Sequence, residues 1–71
     1  MTFNYNKLRG RIVEKFGTQR EFAKKLGTAE QTVNAKLAGR IKFSIEDVIK
    51  WAELLEIDQN EIGIYFFDYK L

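Results

Sequence analysis

Apolar residues recur at helical spacing along most of the chain. Leu8, Ile12 and Phe16 fall at i, i+4 and i+8; Phe22, Ala23 and Leu26 form a second stripe, and Val33 and Leu37 a third. Ile45, Val48, Ile49, Ala52 and Leu55 make the cleanest amphipathic set. Spacing of this kind turns one face of each helix toward a core. Only the tail departs from it. Residues Ile64, Tyr65, Phe66, Phe67 and Tyr69 are β-branched or aromatic, which suits an extended strand as well as a helix.

Starts and stops are as legible as the stripes. Thr18-Gln19-Arg20-Glu21 and Thr28-Ala29-Glu30-Gln31 read as capping boxes, with Ser44-Ile45-Glu46-Asp47 and Asp58-Gln59-Asn60-Glu61 as close relatives. In each, a side-chain oxygen satisfies backbone N–H groups that a first helical turn leaves unpaired. Phe43 with Val48, and Ile57 with Ile62, supply hydrophobic staples across two of these caps. Asn4, between Phe3 and Leu8, offers a staple for a first helix. Gly17, Gly27 and Gly39 each follow an apolar stretch, where a left-handed residue closes a helix. The pattern predicts five helices, near residues 4–16, 18–26, 28–38, 44–56 and 58–66, in one all-α domain spanning 1–71.

Composition narrows the function. The 71 residues include no cysteine, histidine or proline. That excludes a disulfide framework, a Cys/His zinc site and a Ser-His or Cys-His catalytic pair. There is no glycine-rich phosphate loop, so neither an enzyme nor a cofactor is expected. No run approaches the roughly 18–20 apolar residues of a membrane span, and the first residues lack a signal-peptide pattern. The expected compartment is therefore the cytoplasm. The net charge is only +2, but residues 1–42 carry +7 and residues 43–71 carry −5. A small globule with that split presents a positive field at one end, suited to a polyanion or an acidic partner.

The segment from Thr18 to Gly39 places two helices on either side of Gly27 with almost no loop. Ala23 is small where the second helix must approach, and Val33 and Leu37 pack back toward Phe22 and Leu26. This is helix-turn-helix geometry, whose second helix can enter a major groove. Thr18-Gln19, Phe22-Ala23, Leu26-Gly27, Val33 and Leu37-Ala38-Gly39, followed by Trp51-Ala52-Glu53-Leu54-Leu55, resemble the phage Cro/repressor type of helix-turn-helix protein. The nearest style is that of small prophage-encoded Cro-like regulators of Gram-positive hosts.

The resemblance implies a sequence-specific regulator that represses transcription by covering operator DNA. It makes Ala29, Glu30, Gln31, Asn34 and Ala35 the base-reading positions and gives Gln19 either a phosphate contact or the support of a base-reading side chain. Gln and Asn can bond adenine, Glu can accept from cytosine, and Ala methyls can touch thymine. Arg40 and Lys42 follow the recognition helix and suit phosphate, as do the N–H groups opening the next helix at Ser44. Lys36 stands where the family is often apolar, which puts a cation on the groove side or disturbs the packing there. Gln31 is either a base reader or the capping partner of Thr28. Glu30 either accepts from cytosine or simply complements the helix dipole. Tight binding by so small a domain needs two half-sites and a homodimer, with Tyr65, Phe66, Phe67 and Tyr69 as the candidate surface or as closure of the core.

A second class of function is open: an antirepressor that binds the phage repressor protein itself. Glu30 is awkward near phosphate, the net charge is weak, and the acidic C-terminal region suits a basic protein face.

Overall fold

The computed structural model describes residues 2–67 and 69–70. Five α-helices occur among them: α1 (Asn6–Phe16), α2 (Gln19–Leu26), α3 (Glu30–Leu37), α4 (Ile45–Leu54) and α5 (Ile62–Phe66). A single 3₁₀ turn, Gln59–Glu61, leads into α5. The two ends of the chain pair as an antiparallel ladder of two residues each, β1 (Thr2–Phe3) with β2 (Tyr69–Lys70), Thr2 opposite Lys70 and Phe3 opposite Tyr69. The all-α reading therefore holds. The extended tendency of the tail is realised only after α5, at β2. No described helix is long and apolar enough to cross a membrane.

Trp51 of α4 sits at the centre of the core. Its ring meets Phe22 at 4.9 Å and Phe43 at 4.8 Å, with Phe66 at 6.5 Å, all near edge-to-face. Leu8, Ile12, Phe22, Val33 and Leu55 are fully buried around it, and Phe16, Leu26, Phe43, Leu54, Ile62 and Tyr65 pack against its margin. Every helix contributes, so the core cannot close until α5 docks.

Three helices end in the same way. After α2, the Thr28 N–H reaches the Ala23 carbonyl at 3.0 Å and the Gly27 N–H the Lys24 carbonyl at 3.2 Å. After α3, Arg40 N–H bonds Ala35 at 2.9 Å and Gly39 N–H bonds Lys36 at 3.1 Å. After α4, Ile57 N–H bonds Ala52 at 2.9 Å and Glu56 N–H bonds Glu53 at 3.3 Å. These paired bonds define the Schellman arrangement, which needs a left-handed residue at its apex. Gly27 and Gly39 supply it with φ of 83° each; at α4 the apex is Glu56, with φ of 55°.

Several expected boundaries shift for identifiable reasons. Thr18 caps α2 as expected, its hydroxyl accepting from the Glu21 N–H. Thr28 does not cap α3: its N–H closes the turn after α2, and the N-cap position falls one residue later, at Ala29, without a side-chain cap. Ser44 and Asp47 form the complete reciprocal box of α4. α1 begins at Asn6 rather than residue 4, with Asn4 Oδ1 accepting from the Asn6 N–H at 2.9 Å. Asp58 makes no side-chain cap bond. The α4 stripe is also rotated from the sequence reading. Val48, Trp51, Ala52 and Leu55 face the core, while Ile45 and Ile49 are exposed.

Candidate interaction face

The turn at Gly27 holds α3 against α2 and leaves the outer side of α3 open. Ala29, Glu30, Gln31 and Asn34 are all exposed there, and Gln19 at the start of α2 is half-buried. Because the Thr28 box does not form, Gln31 is not engaged as its capping partner. Arg20 of α2 lies 3.7 Å from the Glu30 carboxylate, so the acidic residue at the mouth of this face is already matched by a cation. Ala35 does not belong with the others. It is 8% exposed, because the chain turns back after Gly39 and the amides of both Arg40 and Ile41 bond its carbonyl. Its methyl is not at the surface.

The expected phosphate set divides in the same manner. Lys36 is not a free cation: its ammonium donates to Asp47 Oδ2, and the ring of Phe43 lies 5.9 Å from that ammonium. Asp47 also takes the Ser44 N–H at 3.0 Å, while Ser44 Oγ accepts the Asp47 N–H. The N-terminus of α4 is thus occupied by the protein's own carboxylate, and Ser44 has no N–H left for an anion. Burial pushes the Asp47 carboxyl up, but hydrogen bonds from Lys36 and Ser44 outweigh this and hold it below its ordinary value. Arg40 and Lys42 remain exposed.

Arg9 and Arg11, which belong to the positively charged first 42 residues, have structural partners. Arg9 donates to the Leu37 carbonyl at 3.0 Å, closing the C-terminus of α3. Arg11 donates to the carbonyls of Leu55 and Glu56, both at 2.8 Å, and so clamps the end of α4. Cations suit helix C-termini, but these partners lie 28 and 44–45 residues away, beyond any local pattern.

The tail also differs from a uniform dimer surface. Phe66 is buried in the core, because its ring completes the cluster around Trp51 and Phe43. Tyr65 is half-buried against it, and Phe67 is exposed. The Tyr69 side chain lies outside the described residues; its backbone pairs with that of Phe3. The large apolar side chains that do face outward include Ile41, Ile45 and Ile49.

The described residues thus form a five-helix domain whose turn at Gly27 leaves the outer side of α3 open. The chain belongs to the family described as "Protein of unknown function (DUF739)", which it matches over residues 1–69. It is similar, at 37% identity and a TM-score of 0.85, to the solution structure of the modulator of repression (MOR) of the temperate bacteriophage TP901-1 from Lactococcus lactis. That match covers 100% of this chain and 96% of the other. No curated protein matches the chain.

Proposed function

We propose that this chain takes part in the lysis–lysogeny decision of a temperate phage by binding the phage repressor protein, as a binding module without catalysis or cofactor. The observation that carries the reading is the whole-length similarity to a modulator of repression. The charges around α3 support it. Lys36 is committed to Asp47 and Glu30 sits at the mouth of the helix, leaving Arg40 and Lys42 as the exposed cations beyond its end. Tight DNA binding draws on many phosphate contacts, and this face offers few.

Sequence-specific binding of duplex operator DNA as a homodimer is the second reading. It is favoured by one feature, the exposed Gln31 and Asn34 on the outer side of α3, which have the chemistry to bond adenine edges. Calorimetric titration of the purified chain with the repressor of the same phage, and separately with duplex operator DNA, distinguishes the two. Heat on mixing with repressor and none with DNA is the expected result. Saturable DNA binding at moderate salt, with no repressor complex, favours the second reading.

A further inference from the structure

Ile45 is 80% exposed and Ile49 is 53% exposed. They lie one turn apart on α4, so they form a single apolar strip rather than two scattered residues. Single exposed apolar side chains are ordinary, but adjacent isoleucines on a helix that already buries Val48, Trp51 and Ala52 on another side are not needed for the core. Glu46 and Glu53 border the strip, within about 60° of Ile49 around the helix at 100° per residue. Both are exposed, and neither forms an ion pair among the described residues; Lys50, also exposed, stands farther round the helix, so the two carboxylates and not the lysine flank the isoleucines.

We infer that the Ile45–Ile49 strip, with Glu46 and Glu53 at its edge, is the docking surface for the repressor, and that the partner face carries an apolar ridge bordered by Lys or Arg. The inference rests on the repressor-binding reading above and specifies its surface. The charges select the occupant. Isoleucines offer phosphate nothing, and the two carboxylates repel it, so the strip is not a DNA contact. In an antiparallel two-fold pairing of α4, the edge holding Glu46 and Glu53 would meet itself, which disfavours that arrangement of a second copy. A basic-edged protein face satisfies both the apolar strip and its border. Glu30 is a weaker candidate for this role because Arg20 lies 3.7 Å from its carboxylate.

The test is calorimetric titration of the purified phage repressor into the full chain and three variants. Ile45→Ser with Ile49→Ser should weaken binding by about 100-fold, as loss of a central apolar anchor does. Glu46→Gln with Glu53→Lys should weaken it by about tenfold at low salt and less at high salt, since rim charges act through screened attraction. Glu30→Lys reads the α3 face instead and should weaken binding less than either α4 variant. These side chains are exposed, so circular dichroism and melting temperature should match the parent. Parent-like binding by the isoleucine variant, with loss of binding in Glu30→Lys, overturns the inference and leaves repressor binding intact. If the parent itself does not bind repressor, both fall. Sedimentation equilibrium of the chain alone supplies a further check: a dimer that the isoleucine variant dissolves assigns the strip to a second copy and overturns the proposal.

Discussion

Lys36 of α3 and Asp47 of α4 form an ion pair in which the lysine side chain is 12% exposed and the aspartate 28%. The same carboxylate completes the N-terminal box of α4. One side chain therefore fixes both the start of α4 and its position against α3. Removing the carboxylate in Asp47→Ala should cost about 2 kcal/mol, since it loses a cap and strands a partly buried ammonium. Lys36→Met keeps the apolar stem and the box, and should cost about 1 kcal/mol. Urea unfolding of the two variants should rank them in that order.

The pair also sets the acid response. Asp47 is held below its ordinary pKa by Lys36 and Ser44 against the opposing effect of burial. Its contribution is complete above the unfolded carboxylate value of about 3.9 and disappears as pH falls through the lower folded value. Glu56, lowered by its hydrogen bond from Lys15, acts in the same direction, but it is exposed and screened by salt. Melting temperature should be flat near neutrality and fall below about pH 4. Lys36→Met should flatten that acid limb.

Glu56 occupies a left-handed position that favours glycine, while its carboxylate meets Lys15 at 2.6 Å. Glu56→Gly relieves the backbone and loses the ion pair, but keeps the carbonyl that Arg11 bonds. The substitution should raise the melting temperature at high salt, and by less at low salt, where the lost pair counts most. A larger gain at low salt would mean that backbone strain is not the dominant effect.

Ala23 is buried on the side of α2 that helps form the core, and its carbonyl accepts from both Gly27 and Thr28. Ala23→Leu should cost about 1–3 kcal/mol by overpacking. Arg11→Ala removes the side-chain donors to the Leu55 and Glu56 carbonyls and should cost about 1–2 kcal/mol. Both changes are read by chemical denaturation.

Local signals were the legible ones. Gly27 and Gly39 mark left-handed helix ends, and Ser44 with Asp47 marks a start, because each depends on neighbours within a few residues. Thr28 carries the residue type of a cap, but it serves as the closing residue of the α2 turn, and the cap position of α3 passes to Ala29, which has no side-chain acceptor. Ile45 and Ile49 carried the right period for a core stripe, but periodicity does not fix the rotation of a helix, and Trp51 took the inward position. Ala35 was lost to the base-reading face through the backward turn after Gly39. Arg9, Arg11 and the Lys36–Asp47 pair depend on long-range or inter-helix geometry. The outer face at Glu30, Gln31 and Asn34 is readable as exposed, while the class of partner the chain binds is not.

The central claim is that the chain engages the repressor protein rather than operator DNA. An operator mobility-shift assay at low ionic strength, run with repressor alone, with this chain alone and with both, tests it most directly. No retarded band is expected from the chain alone, and the repressor–operator band should change when the chain is added. A salt-sensitive band formed by the chain itself, with the repressor's band unaltered by its presence, would contradict it.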